Sequence, residues 1–428
     1  MKKKALFLLV ILMVAALMLS ATASTASEGA LWTPAAAADK IVVISDIHLG
    51  LDDSFSEDTK NKPLLVEFLQ QLQKTKDVRE LVIAGDFLDE WYLPLNYTAY
   101  TDSSEFFRQV ITNNQTVFDE LKNVMASGIK LVYVLGNHDM LLESGILDEA
   151  LPGIVQARDS KGLGVYYTGD RREIAIEHGH RYDVFSAPDT VTNKALCVNG
   201  GTMLPPGYFY ARVAASWVIQ GRPPIKKDYP VLTAVPDAKT DPDQFGAYLY
   251  YRVLNSEFTR ITPFEGFQDK VFDIKIDGYN GRYSIKDMFP DIQADGTISA
   301  PVLYKDFQRT WQERQQINQV KVKNEFVEAV AGTLSREYFF NQAKTQYLQN
   351  PDENIDVVVF GHTHVPNFQK VDGGKYYVND GTWVDHNTAY PSVTRSFTVV
   401  TTGSADSAVL YAYMADGTLL DITDSMGK

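Results

Sequence analysis

Five short apolar runs, each halting at a cluster of histidine, aspartate or asparagine, set narrow limits on how this chain can fold. They are Ile41–Ile44 before Ser45-Asp46-Ile47-His48, Leu81–Ala84 before Gly85-Asp86, and Leu131–Leu135 before Gly136-Asn137-His138-Asp139. The last two are Ile174–Ile176 before His178-Gly179-His180 and Ile355–Phe360 before Gly361-His362-Thr363-His364. Continuous runs rich in Val and Ile suit strands buried on both faces, because such strands have no solvent side to keep polar. The polar clusters then fall at the carboxyl ends of strands, where open α/β sheets bind ligands. Six of the seven histidines stand in these motifs. The fold class read from this pattern is α/β.

Between the first two runs, Pro63 to Lys74 carries Leu64, Leu65, Phe68, Leu69 and Leu72 at helical spacing. A second helix is expected from Ser104 to Ala126, with Glu105 in its first turn and Gly128 past its end. Residues 40–181 read as the first part of a core and 355–428 as its second part, separated by an insertion or cap at 182–354. That insertion opens irregularly, with Pro205-Pro206-Gly207 and Pro223-Pro224, and turns helical around Tyr304 to Gln349. Two roles stay open for it: covering and shaping a site, or packing as a second structural unit. Strands are expected at Lys375–Val378, Ser396–Thr401 and Ala408–Met414, with turns at Asp372-Gly373-Gly374 and Ala415-Asp416-Gly417.

The amino terminus has the form of an export signal over residues 1–23. Lys2-Lys3-Lys4 precede an apolar stretch from Ala5 to Leu19, and Ala21-Thr22-Ala23 offers a cleavage site. Residues 24–39 follow as a flexible leader. An uncut membrane anchor is the alternative, and the stretch is short for a full span. The expected location is therefore extracytoplasmic, secreted or in the cell envelope, with membrane contact only through the signal segment if it stays attached. The single Cys197 excludes an intrachain disulfide. A formal net charge of -14 argues against a nucleic-acid groove as the main surface.

Imidazole, carboxylate and carboxamide are ligands for borderline divalent metals, and imidazole selects Zn, Mn, Fe or Co over Ca. Thiolate ligation is excluded, since Cys197 lies outside every motif. Around the motifs, Asp89 reads either as a group orienting a ligand or loop, or as a solvated acid. His180 reads as a substrate contact, a support for His178, or a structural histidine. His386 reads as a surface residue. Trp91, Tyr92, Tyr97 and Tyr100 would line a pocket mouth or serve as buried anchors.

In order, the chain gives Asp46-x-His48, Gly85-Asp86-x-x-Asp89, Gly136-Asn137-His138-Asp139, His178 and Gly361-His362-x-His364. This series resembles the calcineurin-like metallophosphoesterases in order and residue type, over Ile41–Arg181 and Ile355–Asp385. The resemblance implies a four-layer α-β-β-α sandwich carrying the large, partly helical insertion, and a site for two divalent metal ions. Asp46, His48 and His364 would hold one ion, Asn137, His178 and His362 the other, with Asp86 bridging. His138, not a ligand in that family, would donate the proton to the leaving group, and Asp139 would orient its imidazole. The implied activity is hydrolysis of phosphate mono- or diesters by a metal-bridging hydroxide. Within the family, Gly85-Asp86-Phe87-Leu88-Asp89-Glu90-Trp91 and the helical insertion resemble the UDP-2,3-diacylglucosamine hydrolases. The chain departs from that branch in having His138 where arginine is common, in its export signal and in its longer insertion. The alternatives are a pyrophosphatase acting on a lipid or nucleotide diphosphate, and a non-catalytic interaction scaffold of the same fold.

Overall fold

The structure is a computed structural model that describes residues 29–97, 102–198, 202–226, 228–276, 278–333, 335, 337–387 and 393–426. The signal segment at 1–23, the first part of the leader and Tyr100 lie outside the described residues. Among the described residues, no helix is long and apolar enough to cross a membrane.

Each of the five apolar runs forms a strand. Three lie in the first sheet as β1 (Lys40–Ile44), β2 (Val78–Ala84) and β3 (Lys130–Val134), followed by β4 (Val155–Ala157). The other two lie in a second sheet, the fourth as β6 (Ile174–Ile176), which follows β5 (Tyr166–Thr168). A hairpin of β7 (Phe272–Ile276) and β8 (Tyr279–Tyr283) belongs to the insertion. The fifth run is β9 (Val357–Phe360), and β10 (Asn367–Val371) and β11 (Lys375–Asn379) come next. The chain then returns to the first sheet as β12 (Ser396–Thr401), β13 (Ser407–Tyr413) and β14 (Leu419–Asp421). The first sheet runs β14-β13-β12-β1-β2-β3-β4 and the second β10-β11-β9-β6-β5. In the first, β1 to β4 are parallel and β12 joins β1 antiparallel; in the second, β9 is parallel to both β6 and β11.

Side chains alternate across each strand, and both faces are covered. Ile41, Val43, Val82, Ala84, Val132 and Val134 point between the sheets, where they meet Ile174, Ile176, Val357 and Val359. Val42, Ile44, Leu81, Ile83, Leu131 and Tyr133 face the opposite way, into helices. On the far side, Ala175, Val358 and Phe360 of the second sheet meet Tyr338, Phe339 and Tyr347. The layers are thus helix, sheet, sheet, helix, which explains why the runs carry no polar alternation.

Helix α1 (Lys62–Lys74) buries Leu65, Phe68, Leu69 and Leu72, the stripe its spacing predicts. The expected single helix from Ser104 to Ala126 is two helices, α2 (Ser103–Asn113) and α3 (Gln115–Ala126). They part at buried Asn114, whose backbone sits at φ -114°, ψ 28°. Its amide donates to the carbonyls of Gly50 (2.9 Å) and Val110 (2.8 Å), so the side chain competes with the helix ladder and ties it to the loop after β1. Helix α4 (Ser144–Ala150) follows β3.

The insertion departs most from expectation. Its supposedly irregular opening holds the two longest described helices, α5 (Pro206–Ile219) and α6 (Pro242–Phe258). Pro206 and Pro242 stand in their first turns, where a missing N–H costs nothing, so these prolines start helices rather than break them. Tyr208, Phe209, Arg212, Val213, Ala215 and Ser216 bury more than one side of α5, leaving no single apolar stripe to read. The stretch expected to be helical is three short pieces, α7 (Trp311–Ile317), α8 (Phe326–Gly332) and α9 (Glu337–Ala343). The last runs into a π turn at Lys344–Leu348. Tyr208, Phe209, Tyr304 and Phe307 join the same apolar cluster as Trp91 and α1, so the insertion packs directly on the core. Helix α10 (Thr423–Met426) closes the described chain.

Candidate metal centre

The seven residues expected as ligands all stand on loops leaving the carboxyl ends of strands: Asp46 and His48 after β1, Asp86 after β2, Asn137 after β3, His178 after β6, His362 and His364 after β9. Five of them adopt left-handed backbone, Asp46 (φ 52°), His48 (54°), Asp86 (50°), His362 (72°) and His364 (55°). Such conformations cost about 1–3 kcal/mol each outside glycine and persist only where the surroundings over-determine them. Here the loops are laced together: Asp46 N–H donates to Gly85 O (3.1 Å), and the amides of Ile47 and His48 donate to Asp86 O (2.9 and 3.0 Å). The motif glycines serve the same close approach. A Cβ on Gly136 would strike the Asp86 carboxylate, and one on Gly361 would lie 2.5 Å from Asp46 Oδ2.

The donors form two groups around one carboxylate. His364 Nε2 lies 3.0 Å from His48 Nε2 and 3.2 Å from Asp46 Oδ1. Asn137 Oδ1 lies 3.1 Å from His178 Nε2 and 2.9 Å from His362 Nδ1. Asp86 stands between them. Its Oδ1 accepts the His138 N–H (2.8 Å), while Oδ2 is 3.6 Å from His48 Nε2 and 3.2 Å from His178 Nε2. Asp46, His48, Asp86, Asn137 and His178 are buried; His364, 32% exposed at its side chain, marks the open side.

Three of the imidazoles are fixed from behind. His48 Nδ1 donates to Asp89 Oδ2 (2.9 Å), His178 Nδ1 to Ala84 O (2.9 Å), and His362 Nε2 to Asp183 Oδ2 (3.0 Å). Each bond fixes the ring so that the other nitrogen is turned toward the cluster, where a neutral imidazole offers a lone pair. Asp183 is absent from the residues expected on sequence grounds. It opens the insertion and meets His362 from 179 positions away, a pairing with no local signal.

Asp89, rather than Asp139, lies beside the His138 imidazole. Its Oδ1 sits 3.0 Å from His138 Nδ1, off the line of an aligned hydrogen bond, and also accepts the amides of Trp91 (2.7 Å) and Tyr92 (2.8 Å). The Asp139 carboxylate instead accepts the amides of Phe87 (2.8 Å), Leu88 (3.3 Å) and Gly136 (2.8 Å), tying the loop after β2 to that after β3. Trp91 is a buried anchor, its indole stacked on His138 at 4.5 Å between centroids and 29° between planes. His180 is buried with Nε2 donating to Gly162 O (2.9 Å), while His386 is exposed.

Electrostatically the cluster calls for cations. Burial works against charge at His48 and His178. Nevertheless, the Asp89 hydrogen bond and Asp86 charge raise His48 to about 10, and the charges of Asp86 and Asp46 raise His178 to about 9. These carboxylates therefore favour positive charge at the imidazoles. A dication meets the same carboxylates and imidazoles, so the donor set fits metal, and protons compete for it as pH drops. Asp46, His48, Asp86 and His364 offer ligand atoms all within 4.8 Å of one another.

A cavity of about 330 Å³ opens at this centre, lined by Asp183, Phe339, His362, Thr363, Asn367 and Tyr377 among others. Phe339, from the insertion, meets His362 edge-on at 5.4 Å.

Residues 39–219 match the family model described as calcineurin-like phosphoesterase. The match ends at the last residue of α5, so His362 and His364 join the site through the fold rather than through that match. No curated protein matches the chain in sequence. Among solved structures, a dimetal phosphatase from Danio rerio is similar at 13% identity and a TM-score of 0.31, with 90% of this chain and 99% of that one covered. A phosphopantetheinyl hydrolase from Mycobacterium tuberculosis is similar at 14% identity and a TM-score of 0.25, covering 81% and 90%.

Proposed function

We propose that this chain, a member of the calcineurin-like phosphoesterase family and a metal-dependent phosphoester hydrolase, works outside the cytoplasm on phosphate mono- or diesters with two divalent ions. The observation that carries the two-ion reading is Asp86 Oδ2 lying between two separate donor groups, within 3.6 Å of His48 and 3.2 Å of His178. Asp46, His48 and His364 would hold one ion and Asn137, His178 and His362 the other.

When bound, such ions lower the pKa of water and neutralise charge on a phosphoryl group. The chain's own residues set the conditions for that chemistry. Asp46 and Asp86 bring only two negative charges to the donor set. Asn137 adds an oxygen without a third, so two dications leave a net positive centre that attracts a phosphate. His138 is the proton donor to the leaving oxygen. With Nδ1 turned toward Asp89, Nε2 is the ring nitrogen left for substrate. Trp91 stacked on one face and His48 set edge-on at 4.5 Å and 88° hold that ring in plane.

The test is to purify the mature protein, count its metals and assay chromogenic phosphate mono- and diesters with added manganese. About two metals per chain and turnover of at least one ester class are expected. Less than about one metal together with no turnover of either class would overturn the reading.

A further inference from the structure

A second cavity, of about 200 Å³, adjoins the one at His362 and shares Asp183 and Thr333 with it. Its remaining wall is largely apolar, built from Phe185, Pro206, Tyr210, Val253, Leu254 and Phe258 of the insertion. Asp183 binds the back of His362, so a group seated here lies one side chain away from a candidate metal ligand. Among the described residues, neither cavity is lined by a lysine or an arginine; besides His362, the charged side chains in the two walls are Asp183, bonded to His362, and Glu257, ion-paired with Arg260. A second phosphate or carboxylate on the substrate would lose its hydration against this largely apolar wall. An uncharged apolar group meets rings and aliphatic side chains instead.

We propose that this pocket seats the apolar part of the substrate alcohol, so that the preferred substrates are alkyl or aryl phosphates rather than nucleoside polyphosphates or other polyanions. The proposal rests on the phosphoesterase reading above and names its substrate class. Since an apolar cavity of about 150 Å³ accommodates a benzene ring, this one takes a ring or a chain of about six carbons.

The test uses n-alkyl phosphonates from methyl to octyl, binding by calorimetry to the manganese-loaded full chain, with the matching phosphates assayed in parallel. Affinity should rise about fourfold per methylene and level off near six carbons. Phenyl phosphonate should fall on the plateau, and a hydroxylated hexyl phosphonate well below it. Val253→Trp, which fills the pocket, should flatten the series while leaving methyl phosphonate within about twofold, since burial of further methylenes is all it removes. Tyr210→Ala, which enlarges the pocket, should shift the plateau to longer chains and serves if the tryptophan variant does not fold. A flat series in the unmodified protein, or a slope that neither substitution alters, would overturn the proposal. Phosphonate binding that follows chain length without turnover of any phosphate would instead remove the hydrolase reading and keep the pocket.

Discussion

Asp183→Asn removes one charge and one acceptor with almost no change in volume, and the contacts around the carboxylate set its effect. One carboxylate oxygen accepts the Phe185 N–H (2.9 Å), and the other accepts both the Ser186 hydroxyl (2.9 Å) and His362 Nε2 (3.0 Å). An asparagine amide faces a donor whichever way it turns. Placed toward Phe185 it strands a backbone N–H. Placed toward His362 it drives the imidazole to the other tautomer, with the proton on the Nδ1 that faces Asn137. Loss of such a support typically weakens metal binding about 10- to 100-fold. The Asp183 side chain is 15% exposed, so water softens the effect and the expected loss is about 10- to 30-fold, or about 1.4–2 kcal/mol. The loss should be confined to one ion, because His48 and His178 are held by Asp89 and the Ala84 carbonyl. Calorimetric titration of manganese into metal-free protein should show one unchanged and one weakened site, and saturating metal should restore most of the turnover. Unchanged affinities would refute the tautomer argument. Equal weakening of both sites would refute the division of the donors into two groups.

Three further outcomes are expected. His138→Gln should slow esters with poor leaving groups about 10²- to 10⁴-fold and activated nitrophenyl esters far less; equal losses would contradict a proton donor. Asp58 is buried with neither oxygen paired among the described residues, and burial together with the Asp385 charge holds its pKa well above the usual carboxylate range. A carboxyl whose pKa is higher in the folded state destabilises progressively as pH climbs from its unfolded value, near about 4, toward the folded one. Asp58→Leu should therefore gain about 1–3 kcal/mol in urea denaturation at pH 7, a gain that shrinks in acid; a loss at pH 7 would reveal a partner for the carboxylate. Arg181, buried against Glu177 and Asp159 (2.6 Å each), also donates to Asn318 O (3.0 Å) of the insertion. Arg181→Met should cost about 3–5 kcal/mol of stability, partly recovered by adding Glu177→Gln, and a cost under about 1 kcal/mol would show that this link does not hold the insertion.

The strands are legible in the sequence because a doubly covered strand needs an unbroken apolar run, a signal only a few residues long. The short-range half of the site is legible for the same reason: Asp46 and His48, or His362 and His364, sit two apart on one loop. The insertion is not. Pro206 looks like a break because a proline's meaning depends on whether a helix follows, and α5 buries several sides without a stripe to betray it. Asn114 reads as one helical residue among many because its break is set by a bond to Gly50, far away in sequence.

By itself, then, the sequence determined the donor types, their order and their placement at strand ends, since these follow from local pattern and the chemistry of imidazole and carboxylate. Tertiary structure decided which donors meet. His48 reaches His364 across 316 positions, Asp183 backs His362, and Asp89 rather than Asp139 faces His138. Those pairings depend on how two sheets align their carboxyl ends and on loops held in left-handed backbone by hydrogen bonds between loops. Neither leaves a periodic mark on the chain.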